Sequence, residues 1–283
     1  MPLNASAVGM AVRTEGLTVT ARRVLAFAAA FSDVTAHELD DTAAPGLVAC
    51  PYLCVTYEWV CTKLMRDDPR LGLTSAEARR AVHAGQDTTF HAPIPAGARV
   101  RVEAQVEAIR PTRAGALLAS RLRILDDATG TPYTTSRIAT IFRGAAVAGG
   151  NSGPREAPSA PLPGAPATSR IAIPRGFAHV YSECADIWNP IHTERRVALE
   201  AGLPDIIVHG TALWALAGRE IVAAHGRKLT RLACRFSAMV VPGETVTLAH
   251  APLAEDFSRI AFAMRAQSGA SALTEGIAEL SDT

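Results

Sequence analysis

The chain has 283 residues, 48% of them hydrophobic and 19% charged, with 28 basic and 27 acidic side chains and a formal net charge of +1. Such a length suits two domains of about 130 residues each, and the composition is that of a folded globular protein. Near-neutral charge without a long basic run argues against binding nucleic acid as a polyanion, and without an 18-residue apolar stretch no membrane-spanning helix is expected.

In chain order, the opening MPLNASAVGMAV has neither a basic segment nor a long apolar one, so no secretory signal is expected. Arg22 and Arg23, like Arg219 and Arg227 later, read as solvated surface. The five cysteines, at 50, 54, 61, 184 and 234, do not form the paired spacings of a zinc site. They fit reduced residues of a cytoplasmic protein, with Cys184 the one nearest the chemistry proposed below. Residues 51–65, PYLCVTYEWVCTKLM, are helix-compatible. FHAPIPAG (90–97) then reads as a strand with a glycine turn. ARVRVEAQVEAI and ALLASRLRILD alternate apolar and polar residues, the period of half-buried antiparallel strands, and IATIFR closes the series.

Residues 145–169 are crowded with Gly, Pro, Ala and Ser and have no hydrophobic period, which predicts an extended connector. The second half repeats the plan of the first. An apolar helix at 210–225 is followed by FSAMVVPG (236–243), with the same Phe-to-Gly spacing as FHAPIPAG, then by ETVTLAHAPL, RIAFAMRAQS and a closing EGIAEL. One long helix and several long strands, twice over, is an α+β pattern. The domains expected are 1–144, the connector 145–169, and 170–283.

The segment YSECADIWNPIHTERRVALEAGLPDIIVHG, 181–210, carries the chemistry. Pro190 pushes Asn189 out of the α region, so the chain turns sharply there. His192 follows on the edge of that turn and can titrate near neutral pH. A helix is predicted from about Thr193 to a stop at Gly202. Gly210 opens the apolar helix, where unpaired N–H groups and the helix dipole favour an oxyanion and a missing side chain lets a ligand approach the backbone.

Tyr181, Asn189, Pro190, His192, Ala198, Gly202, His209 and Gly210 together resemble the signature of the MaoC-like (R)-specific enoyl-CoA hydratases. FSAMVVPGETVTL (236–248) and HAGQDTTFHAPIPAGARV in the first half are similar to further segments of the two-domain members. The resemblance implies a double hotdog fold, each half a long helix wrapped by an antiparallel sheet. It implies a hydro-lyase that adds or removes water across an α,β-unsaturated acyl thioester, in fatty acid or polyketide metabolism. The thioester carrier is CoA or acyl carrier protein. No cofactor or metal is implied, nor any nucleic acid or membrane partner, and a further homodimer is compatible. His192 is the implied acid/base and Gly210 the oxyanion donor, with Asn189, His209 and Tyr181 as substrate-binding positions.

One departure matters. The family pairs its His with an Asp five residues earlier, and that place is Ile187 here, with Asp186 one residue further back. A bulge that turns Asp186 into the pocket would keep a second catalytic group. Otherwise the chain is a different thioester enzyme, such as an isomerase, cyclase or thioesterase, or a non-catalytic thioester-binding subunit. The first half has no Asn-Pro-x-His. Its equivalent, FSDVTAHELDD (31–41), offers Asp33 and His37, both read as surface residues, and the half is expected to be a degenerate, substrate-binding domain.

Overall fold

Along Arg99–Thr112 and Gly115–Asp126 buried and exposed residues alternate, as sequence periodicity predicts, and the two strands pair antiparallel from Val100 opposite Asp126 to Thr112 opposite Gly115. The structure, a computed structural model, describes residues 2–31, 35–149, 153, 162–253 and 255–282. Asp33 and the side chain of His37 lie outside the described residues. Two units emerge. The first comprises Met1–Thr18, Tyr57–Ala92 and Arg99–Pro158, the second Val19–Thr56, Pro93–Ala98 and Ser159–Thr283.

In the first unit the strand order is Ala81–Phe90, Pro132–Arg143, Gly115–Asp126, Arg99–Thr112 and Ala11–Arg13, every pair antiparallel. In the second it is Lys228–Phe236, Ser271–Ser281, Arg259–Arg265, Thr245–Pro252 and Ala167–Ala172, again all antiparallel. The two orders are the same permutation of chain order, so the repeat is topological as well as compositional. Each sheet is accompanied by one long helix, Cys54–Arg66 or Gly210–His225, which is the hotdog plan. Among the described residues no helix is long and apolar enough to cross a membrane.

The first core gathers Leu122, Ile124, Phe142 and the thiol of Cys61, all at most 2% exposed. Glu58 is buried with them. Its carboxyl accepts from the Ser136 hydroxyl and from Gln86 Nε2 at 3.1 Å, while Gln86 Nε2 also donates to Thr88 at 2.7 Å. Burial pushes the Glu58 carboxyl above its ordinary range, partly offset by those two donors.

In the second unit the helix Gly210–His225 buries Leu213, Trp214, Ala217 and Ile221, and the Trp214 indole donates to the Leu232 carbonyl at 3.3 Å. The helix Ala21–Ala29 and Phe31 just beyond it pack on the helix Phe177–Ala185 through aromatic rings, Phe27 on Tyr181 at 5.8 Å and Phe31 on Tyr181 at 6.2 Å.

Several expectations need correction. FHAPIPAG and FSAMVVPG are not regular strands: the strands end at Phe90 and Phe236, and scattered backbone contacts follow, His91 N–H to the Tyr133 carbonyl at 2.8 Å, Ser237 N–H to the Ala272 carbonyl at 2.9 Å and an isolated bridge of Pro95 with Val48. Pro93, Pro95 and Pro242 have no N–H to continue a ladder. Arg23 and Arg219 are not solvated surface. Arg219 is 9% exposed, pairs with Glu38 at 2.8 Å and lies 5.2 Å over the Phe31 ring. A planar guanidinium can satisfy a carboxylate and a ring face together, which sequence period does not show. At the margins of 145–169, Val147–Ala148 pairs with Leu3–Asn4 and Ala167–Ala172 forms the edge strand of the second sheet.

Candidate active site

The Asn-Pro turn folds as expected from its local chemistry. Pro190–His192 is a single 3-10 turn, Asn189 precedes it in an extended conformation, and the Asn189 side chain accepts from the Ile191 N–H at 3.5 Å. The turn is fastened to residues 205–208 by the Ile207 N–H donating to the Ile191 carbonyl at 3.4 Å and by the ion pair of Arg195 with Asp205 at 3.3 Å. The helix that follows spans Arg195–Glu200, two residues inside the predicted start.

His192 Nδ1 lies 2.8 Å from the Ile207 carbonyl. A carbonyl can only accept, so Nδ1 carries the proton and Nε2 keeps its lone pair in the neutral ring. Burial pushes the imidazole down to about 4, with the Ile207 carbonyl pulling weakly the other way. At neutral pH His192 is therefore an uncharged base with a fixed tautomer.

His209 stacks on it, with ring centroids 3.7 Å apart and planes 24° apart. His209 is 3% exposed, its Nε2 lies 3.2 Å from the Ser182 hydroxyl, and its Nδ1 faces the Ile187 carbonyl without forming a well-directed hydrogen bond. Burial first, then the neighbouring His192, hold His209 well below the ordinary histidine range. The Tyr181 ring lies 5.0 Å from it, tilted by 51°.

Gly210 begins the Gly210–His225 helix, and the first backbone N–H to find a carbonyl within it belongs to Ala212. No partner of the Gly210 N–H occurs among the described residues. The space beside Gly210 is filled by Phe236, whose ring atoms would lie 2.9 Å from an added Cβ. Glycine is thus required there by packing as well as by any ligand's approach.

Tyr181 is fully buried and donates its hydroxyl to Thr211 at 3.0 Å, so its place beside His209 fits a supporting role better than the expected substrate contact. The expectation for Asp186 is corrected too. Asp186 takes a left-handed conformation, φ 55°, as the residue that ends the Phe177–Ala185 helix, and the Ile187 N–H returns to the Ser182 carbonyl at 3.1 Å. That turn exposes the Asp186 side chain to 72% and buries Ile187 to 6%. The Asp186 carboxylate pairs with Arg23 at 3.1 Å. Arg23 also donates to the carbonyls of Glu183 and Cys184, at 2.8 and 3.0 Å, closing the helix end. The Cys184 thiol is raised by burial, against the pull of Arg23, so it is not a ready nucleophile.

Ser182, Thr211 and Ile207 also build this site and were not singled out from sequence, while Phe236 and Arg23 were noted there for other reasons. Ser182 and Thr211, flanking the motif's own Tyr181 and Gly210, and Ile207, inside the same segment, had a positional hint. Among the described residues no group of His, Cys, Asp and Glu could hold a metal ion.

Residues 178–255 match the family described as MaoC like domain, and residues 6–130 match the FAS1-like, dehydratase domain region. The chain is 29% identical over 228 residues to 3-hydroxyacyl-thioester dehydratase Y of Mycobacterium tuberculosis, covering 77% of this chain and 73% of that protein. Among solved structures it resembles a MaoC-like dehydratase from Phytophthora capsici with a TM-score of 0.83 and 17% identity, over 99% of this chain and 98% of that one. It also resembles full-length peroxisomal multifunctional enzyme type 2 from Drosophila melanogaster, TM-score 0.78 and 19% identity. There the match covers 96% of this chain but 48% of the other, so this chain spans about half the length of that enzyme.

Proposed function

The chain belongs to the MaoC-like dehydratases in their two-domain, double-hotdog form, and on that premise we propose that it is a hydro-lyase acting on an α,β-unsaturated acyl thioester, with His192 as its acid/base. The observation that carries this reading is the fixed tautomer of His192: Nδ1–H on the Ile207 carbonyl leaves Nε2 a free lone pair. In hydration, Nε2 takes a proton from water as the water oxygen bonds to the β-carbon. The electron pair of the double bond moves to the thioester oxygen, which faces the Gly210 N–H at the positive end of the Gly210–His225 helix. The imidazolium then returns the proton to the α-carbon as the enolate collapses. One water is added, and no charge is left on the enzyme. Dehydration is the reverse. Asn189, at the head of the same turn, is the candidate to hold the water.

This is a mechanism with one acid/base. Ile187 stands where a carboxylate would be, and Asp186 is turned outward. The same observation favours one second reading, a non-hydrating thioester enzyme (isomerase, cyclase or thioesterase) or a binding subunit on this scaffold. Absorbance of crotonyl-CoA at its enone band decides between them: hydration bleaches it, and the second reading leaves it unchanged on addition of the protein.

The division of labour proposed is a degenerate, substrate-binding domain at 1–144, a connector within 145–169 and a catalytic domain at 170–283. The carrier is CoA or acyl carrier protein, no cofactor takes part, and a cytoplasmic location fits five free cysteines. A homodimer of the whole chain is compatible with this reading.

A further inference from the structure

His209 is spent on neither the acid/base step nor the oxyanion in the mechanism above, yet it is nearly the most enclosed polar side chain of the site. Three contacts fix it. Its face lies on His192 at 3.7 Å, its Nε2 meets the Ser182 hydroxyl at 3.2 Å, and the tilted Tyr181 ring lies 5.0 Å away. Those supports are themselves tied down, since Tyr181 donates to Thr211 and Ser182 accepts the Ile187 N–H through its backbone carbonyl. His192, by contrast, sits on a short turn and has one side-chain hydrogen bond, from Nδ1 to Ile207. A single such bond leaves the imidazole free to swing about the Nδ1–O direction. A stacked ring removes that freedom.

We propose that His209 is a positioning residue: its ring, clamped between Tyr181 and Ser182, holds the plane of the His192 imidazole so that Nε2 points at the reacting carbons. The inference rests on the catalytic reading of His192. It also explains how one acid/base suffices without the carboxylate that Ile187 has displaced, because a lone base must serve water and α-carbon in turn from one orientation. An uncharged ring against the face of His192 has a second use. When His192 gains a proton, the neighbouring π face meets the imidazolium favourably, as for other cations over aromatic rings. Two imidazoles this close cannot both be charged, and the deeper burial of His209 assigns the charge to His192.

Two substitutions separate ring from hydrogen bond. His209→Phe keeps the stacked face and loses the Ser182 contact, while His209→Gln keeps a polar group for Ser182 and loses the ring. Each purified protein is checked for folding by its thermal midpoint. With crotonyl-CoA, kcat should fall about 10-fold or more in His209→Gln at a KM within about twofold of wild type, and recover to within about threefold in His209→Phe. Independently of turnover, the order of the His192 ring, read by NMR relaxation of its 13C–H groups, should be high in wild type and His209→Phe and clearly lower in His209→Gln. Equal loss in both variants, or a His209→Gln protein with wild-type kcat and a His192 ring as ordered as in wild type, overturns the proposal. If wild type fails to hydrate, the catalytic reading falls while the NMR comparison still judges the positioning one: equal ring order in all three proteins rejects it.

Discussion

The guanidinium of Arg23 holds the Asp186 carboxylate at 3.1 Å while two of its N–H bonds go to the carbonyls of Glu183 and Cys184. Asp186 therefore serves a helix end. Replacing Asp186 by Asn should leave crotonyl-CoA hydration within about threefold of wild type, since the carboxylate is exposed and an exposed pair contributes about 1 kcal/mol at most. Arg23→Ala removes the donors to both carbonyls and should lower unfolding stability by roughly 1–2 kcal/mol, read from urea midpoints. A large loss of turnover in Asp186→Asn, with stability intact, would place the carboxylate back in the reaction.

Gly210 carries two constraints at once, and they are separable. An added methyl group would meet the Phe236 ring at 2.9 Å. Gly210→Ala should lose about 1–3 kcal/mol of stability by overpacking and lose turnover as the helix start shifts. Pairing it with Phe236→Leu should recover most of the stability. Recovery of stability without recovery of turnover would assign the remaining defect to the Gly210 N–H in its proposed role as oxyanion donor.

The pH dependence of turnover follows from His192. With its imidazole pushed down to about 4 by burial, the base form persists well below neutrality. The acid limb of kcat/KM should break near 4, and activity should be level between about pH 5 and 7. A break near the ordinary histidine value of about 6.5 would show that His192 is solvated in the working enzyme.

Stability should depend on pH through Glu58. Burial raises its folded value above the unfolded one of about 4.3, so the folded state holds the proton more tightly. Its contribution is complete below about pH 4.3 and is lost as pH rises through the raised folded value. Glu58→Gln removes that loss. The difference in urea midpoint between Glu58→Gln and wild type should move in favour of the variant as pH rises from about 5 to 9, and a constant difference across that range would mean that Glu58 titrates as it does when unfolded.

Much of this molecule was legible in its sequence, because periodicity reports burial. The alternation in VRVEAQVEAI and the apolar run from Gly210 both mark elements present in the fold, whereas the Phe-to-Gly segments lie past the ends of strands. The edge strand Ala167–Ala172 was hidden because it is short, no residue in it is fully buried, and only Ile171 is a large apolar residue. Glu58 gave no sign of its role, since its partners Gln86 and Ser136 lie on strands far along the chain. The exchange of Asp186 and Ile187 turns on a single left-handed residue at a helix end. Aspartate adopts that conformation more readily than isoleucine, which favours the observed order, but a motif read by position sees only an offset. The stack of His192 on His209 joins residues 17 apart and depends on the packing of both ends of the motif.

If His192 moves the proton in hydration of an enoyl thioester, turnover must collapse when its imidazole is removed. The measurement that tests it most directly is the initial rate of loss of the enone absorbance of crotonyl-CoA, for wild type and His192→Ala at matched concentration and equal folded fraction. Wild type should bleach the band, and His192→Ala should do so at a rate at least about 100-fold lower, the contribution of a positioned acid/base. Equal rates for the two proteins would contradict it.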